Sequence, residues 1–170
     1  MHFFAFYSHE EFITPHTFKI IQTKKKESKF QSLYLNSVIG LLNIISLREQ
    51  TTEGYTDIME SDLNLFITVD SKKLSEKEIE MLNDLFDKLK NVEFPSILEQ
   101  LGNGFWARAE LDKTILKILG FSDGEVNRWL PKIYNALVKE LKAIQTIYYG
   151  HPFLFLEVFE WIVNKQVNIR

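Results

Sequence analysis

The sequence predicts an α+β fold, with a small β-rich N-terminal part carrying one long helix and a helical C-terminal half. Three observations predict it. Aromatic and β-branched runs at His2–Ser8 and Thr17–Thr23 flank a polar turn that contains Pro15. From Ser28, apolar residues recur at helical spacing. After Leu74, Ser-x-x-Glu helix-start signals repeat at Ser75/Glu78, Ser96/Glu99 and Ser122/Glu125. The expected division is residues 1–73 for the β-rich part with its helix, 74–149 for the helical part and 150–170 for an apolar tail.

In order along the chain, the two N-terminal strands are followed by a loop at Lys24-Lys25-Lys26. Ser28 and Gln31 stand at capping-box spacing, so a helix is expected from Ser28 to near Arg48 or Gln50. Phe30, Tyr34, Val38, Leu41, Leu42 and Ile45 make its buried stripe; Lys29, Ser32, Asn36, Gly40 and Asn43 make a narrower polar or small one. Tyr55–Met59 and Leu65–Val69 read as strands, with a short helical turn at Ser61-Asp62-Leu63 between them and a second basic loop at Ser71-Lys72-Lys73. The helix opened by Ser75 has Ile79, Leu82, Leu85, Phe86 and Leu89 as its apolar face. Gly102-Asn103-Gly104 is an interhelical turn, and Trp106–Leu119 is an amphipathic helix stopped by Gly120. Pro131 either starts a fresh turn or kinks the helix that Ser122 opens.

The composition supports a packed core. Of 170 residues, 45% are hydrophobic, with fourteen Phe, six Tyr and three Trp. Cysteine is absent, which excludes disulfides and thiolate metal sites and fits a reducing, cytoplasmic setting. No signal peptide and no apolar run of membrane-spanning length is visible, so no membrane partner is expected. Net charge is −3, but residues 1–50 hold six Lys/Arg against four Asp/Glu, and residues 51–170 hold fourteen against nineteen. The basic end of a mildly acidic chain is compatible with nucleic-acid contact.

Catalytic signatures are missing. Gly102-Asn103-Gly104 follows a helix rather than a strand, so it lacks the setting of a nucleotide loop. His2, His9 and His16 fall on strands and loops, where their spacing makes no metal site. No serine stands in a nucleophile elbow. What remains is basic and polar. Lys24, Lys25, Lys26 and Lys29 precede or open a helix, and Lys72 and Lys73 precede another, where ammonium groups, backbone donors and the helix dipole can hold phosphate. Tyr7, Ser8, His16 and Thr17 offer hydrogen-bonding tips for base or sugar contact. The competing reading is a solvated lysine surface.

The ordered set of short motifs carries a resemblance. It comprises FYSHEEFITPHTFKII, LYLNSVIGLL, Glu53-Gly54-Tyr55, Asp62-Leu63, Leu74-Ser75-Glu76, Phe94-Pro95-Ser96, Arg108-Ala109-Glu110-Leu111-Asp112, Leu119-Gly120 and Tyr134-x-x-Leu137. Residues 2–149 thereby resemble the C-terminal target-recognition region of DNA adenine methyltransferases from restriction–modification systems. Where that family has Pro-Asp after the second strand, this chain has Val69-Asp70, and the tail after Gly150 has no counterpart. The resemblance implies a non-catalytic domain that binds duplex DNA beside a catalytic methyltransferase domain or subunit. S-adenosylmethionine would then be the cofactor of the complete enzyme and not of this chain, which has no Pro-Pro pair for an Asn-Pro-Pro-Tyr motif. Asn36, Ser37, Arg108 and Asp112 are expected to support the fold rather than catalyse. The alternative is a stand-alone specificity or protein-interaction module, with self-association through the apolar tail.

Overall fold

In the computed structural model, the apolar run that begins at Phe30 forms two helices, not one. The structure describes residues 27–47 and 60–145, the strand residues 49–50 and 56–57, and the single positions Ala5, Tyr7, Ser8, Glu10 and Ile21. Helix α1 (Ser28–Asn36) and helix α2 (Val38–Leu47) are bent by 68° about Ser37, whose ψ of 170° leaves the helical region. Glu27, not Ser28, occupies the N-cap of α1 and makes no side-chain capping bond, so the expected capping box is not formed. Helix α2 is buried from Val38 to Ile45 and runs through the core. The bend brings the helices so close that a Cβ on Gly40 would lie 2.2 Å from the Leu35 carbonyl oxygen. Only glycine fits there without displacing backbone.

The helical half follows its sequence signals closely. Helix α4 (Glu76–Leu89) and helix α5 (Ile97–Gly102) each start in a complete capping box, from Ser75/Glu78 and Ser96/Glu99. Ser122 and Glu125 make the same reciprocal bonds before helix α7 (Asp123–Gln145). Helix α6 (Trp106–Ile118) ends in a Schellman motif: Gly120 at φ 86° donates to Lys117 O, and Phe121 N donates to Leu116 O. Pro131 neither starts nor ends a helix; α7 continues through it on its exposed side. Helix α1 packs on α4 and α6, and α7 packs on α5, α6 and α2. One apolar cluster runs from Phe30 to Leu141, so residues on both sides of position 73 share a core.

The small β-rich N-terminal part expected from the sequence is not seen. Among the described residues, extended pairing is confined to β1 (Glu49–Gln50) and β2 (Thr56–Asp57), where Glu49 faces Asp57 and Gln50 faces Thr56. The expected strands His2–Ser8 and Thr17–Thr23 lie outside the described residues except at Ala5, Tyr7, Ser8 and Ile21, none of which is in a strand. Leu65–Val69, expected as a strand, follows a short helix α3 (Glu60–Leu63), turns at Leu65 and forms no strand. Its backbone needs are met by side chains. The Asn43 amide donates to Ile67 O at 3.0 Å and accepts from Ile67 N at 3.1 Å, and Tyr34 Oη also donates to Ile67 O. A carboxamide offers one donor and one acceptor, as a peptide group does, so buried Asn43 takes the place of a neighbouring strand. The expected strand is therefore not formed, and the bonds made by Ile67 go to side chains of helices instead.

Candidate functional site

Five polar residues are buried among the described ones: Ser37, Asn43, Gln100, Arg108 and Asp112. All but Asn43 meet where α1 breaks into α2. Arg108 Nη1 donates to Asn36 O at the end of α1. Its Nε and Nη2 donate to Gln100 Oε1 at 3.0 and 2.7 Å, and Gln100 Nε2 in turn donates to Pro95 O at 2.7 Å. Asp112 Oδ1 accepts from Val38 N at 2.6 Å, and Oδ2 accepts from Tyr134 Oη at 2.7 Å. Arg108 and Asp112, 3.6 Å apart, thus place a cation at the C-terminus of α1 and a carboxyl at the N-terminus of α2. Each charge opposes the partial charge of the helix end it touches. Ser37 Oγ completes the break by donating to Tyr34 O at 2.6 Å.

Burial pushes the Asp112 carboxyl above its ordinary range, against the pull of Arg108, Tyr134 and the Val38 N–H. Burial and the neighbouring Asp112 push the Tyr134 phenol up as well. The polar atoms named here are bonded to protein groups, and Ser37, Gln100, Arg108 and Asp112 are all buried. Its chemistry is therefore that of a clamp.

Among the residues expected to meet nucleic acid, the described ones differ in how far protein already engages them. Lys24, Lys25, Lys26 and His16 lie outside the described residues. Lys29 is engaged by protein: its Nζ is 3.2 Å from Asp87 Oδ2 and 5.2 Å from the centroid of the Phe86 ring. Lys90 also bonds Asp87 at 2.9 Å, and the two lysines hold the Asp87 carboxyl below its ordinary range, Lys90 more strongly. Tyr7 stacks edge-on against the same Phe86 at 5.4 Å. Ser8 Oγ turns back to Glu10, accepting from its N at 3.1 Å and donating to its O at 2.9 Å. Lys72 and Lys73 are exposed on a 3-10 turn, Ser71–Lys73, that Asp70 caps through Lys72 N. The helix end behind them is not an open phosphate cradle. Ser75 and Glu78 already occupy its donors, and Glu76 adds negative charge.

Two hollows flank α1. One of about 390 Å³ is walled by Tyr7, Ser32, Asn36, Phe86 and Phe94. In it the Asn36 amide pairs with Ala5 as Asn43 does with Ile67, accepting from Ala5 N at 3.0 Å and donating to Ala5 O at 2.8 Å. The other, of about 250 Å³, is walled by Glu27 and Phe30 of the α1 start and by Ser71 and Lys72 of the 3-10 turn. The start of α1 and the second basic loop therefore border one hollow.

Among the described residues, no group of three or more His, Asp or Glu is placed to hold a metal ion, and no single helix is long and apolar enough to cross a membrane. No protein-family model, curated protein or solved structure matches this chain.

Sequence reasoning missed two groups of residues. Asn43 is legible only as a member of a polar stripe and Gln100 not at all, because a polar residue within an apolar helix gives no sign of what it will bond. The outer face of α7 was passed over for a different reason. Its apolar stripe was read, while the cations at 128, 132, 139 and 142 repeat on the opposite side at helical spacing that was there to be counted.

Proposed function

We propose that this chain is a helical target-recognition region that binds duplex DNA beside a catalytic adenine-methyltransferase domain or subunit. That catalytic partner would use S-adenosylmethionine. One observation carries the reading. The short motifs behind the resemblance are scattered over the sequence, yet Leu35-Asn36-Ser37, Phe94-Pro95-Ser96, Arg108 to Asp112 and Tyr134 converge on the single buried junction at the α1–α2 break. Their convergence makes them parts of one structural unit, as a shared recognition fold would require. The hollow that the α1 start shares with the Lys72–Lys73 turn supports phosphate contact by side chains rather than by a helix end.

The test is fluorescence anisotropy of a labelled duplex with the full chain. Binding should weaken steeply between about 50 and 200 mM salt, because each phosphate contact releases condensed counterions. Lys72→Gln with Lys73→Gln should flatten the log–log salt slope by about 2. If the region helps hold an extruded adenine, a duplex with a mismatched adenine should bind more tightly than its matched counterpart. Absence of binding near 50 mM salt would reject DNA recognition, and equal affinity for the two duplexes would reject the adenine role.

The interaction-module alternative draws on exposed apolar surface. Trp106 is 51% exposed and Met81 42%. Lys88 lies over the Trp106 ring and pairs with Glu110 at 2.6 Å, at the rim of an open groove between α4 and α6 that Met81 lines. Self-association in sedimentation that Trp106→Gln abolishes would favour that alternative. The apolar tail, residues 150–170, lies outside the described residues.

A further inference from the structure

We propose that the exposed face of α7 is a phosphate-binding ridge that lies along a nucleic-acid duplex. The proposal takes its partner class from the DNA-binding reading above, but it assigns the contact to a different surface. Arg128, Lys132, Asn135, Lys139 and Lys142 succeed one another at intervals of four, three, four and three residues, and all five are exposed. At 3.6 residues per turn this spacing confines them to an arc of about 80° and spreads them over about 21 Å of helix. No carboxylate interrupts the line. Glu140, the acidic residue between 128 and 142, sits about a third of a turn away. Asp123 is paired with Lys117 at 2.6 Å, and Glu125 is engaged by Ser122.

Two features distinguish the ridge from a scatter of solvated lysines. Arg128 and Lys132 both set their charged ends over Trp129, at 5.5 and 4.7 Å from its ring, so the two charges are held together at the start of the line. Lys132 and Lys139 form no ion pair with any described residue, unlike Lys29, Lys88, Lys90 and Lys117. Four cations in line, with neutral Asn135 among them, suit a partner whose own charges run in a row, about 3.4 Å apart along the axis on each strand of a duplex. A membrane surface fits less well, because an interfacial helix needs an apolar face to insert. The apolar face of α7, formed by Val126, Leu130, Ile133, Leu137 and Leu141, is spent in the core, at 0–4% exposure.

The experiment compares the full chain with Lys132→Gln/Lys139→Gln and with Lys72→Gln/Lys73→Gln. Anisotropy of a labelled duplex is recorded from about 50 to 200 mM salt. Circular dichroism confirms that each variant keeps its helices, which is expected because the four lysines are exposed. If both α7 lysines meet phosphates, their loss should weaken binding about 60-fold at 0.1 M salt, or about 8-fold per contact, and flatten the log–log slope by about 2. If the parent binds with a steep salt slope and the α7 variant matches it in affinity and slope, the ridge is overturned while DNA binding stands. No parent binding would overturn both. Binding of the parent to phosphatidylserine vesicles but not to duplex, lost in the α7 variant, would reassign the ridge to membranes and overturn the proposal.

Discussion

Replacing Asp112 by Ala should cost this fold a large share of its stability, because the side chain is fully buried among groups that depend on it. Three partners lose their acceptor or counter-charge. Val38 N, at 2.6 Å, is a helix N-terminal donor sealed in the core. Tyr134 Oη, at 2.7 Å, is partly buried. Arg108 keeps Gln100 and the Asn36 carbonyl but loses its nearest carboxyl, at 3.6 Å. A buried donor left unsatisfied costs about 1–3 kcal/mol, and breaking a buried charge pair from one side costs about 3–5 kcal/mol. These losses share one site and are not additive, so the expected total is about 4 kcal/mol. Against a typical domain stability of about 5–15 kcal/mol, the variant should unfold at a much lower urea concentration or be partly unfolded without it. Urea titration followed by circular dichroism reads the difference. A loss below about 1 kcal/mol would mean that the carboxyl does not hold the α1–α2 break, and the account of that junction would fail.

Four further outcomes test other parts of the description. Tyr134→Phe removes one hydrogen bond to the same carboxyl and should cost about 1–2 kcal/mol in the same titration. Gly40→Ala places a methyl 2.2 Å from the Leu35 carbonyl oxygen; it should cost about 2 kcal/mol or more, and a neutral result would refute the close crossing of α1 and α2. Ser75→Ala opens the capping box of α4 and should lower stability by about 1 kcal/mol, with no change in any DNA affinity if the helix end is not a phosphate site. The pH dependence follows from the raised Asp112 carboxyl. The folded chain holds that proton more tightly than the unfolded chain, whose carboxyl titrates near 3.8, so this contribution to stability falls as pH rises through the folded value. The parent should therefore gain stability relative to Asp112→Asn as pH is lowered from neutrality towards 3.8, and should gain no more below it; parallel stability curves would contradict the shift.

What the sequence determined by itself was local. Ser75/Glu78, Ser96/Glu99 and Ser122/Glu125 mark helix starts, and Gly120 marks a helix end, because the groups that satisfy those backbone donors and acceptors lie within a few residues. The apolar spacing of α4 likewise named Leu82, Leu85 and Leu89 as buried, since helical period and burial are linked through geometry, although Ile79 at the start of the same stripe is exposed. Tertiary structure decided whatever depended on a distant partner. The continuous apolar pattern from Phe30 to Ile45 contains no sign that Arg108 and Asp112 will split it at Ser37, because the residues that stabilise the two new helix ends come from α6. The run Leu65–Val69 could not declare that a side-chain amide on α2 would bond it in place of a second strand. The lysines show the same division at the level of function. Sequence places cations near helix starts, but only packing decides that Lys29 is consumed by Asp87 while Lys132 and Lys139 remain on an exposed ridge, since a charge is available to a ligand only when no folded neighbour has already claimed it.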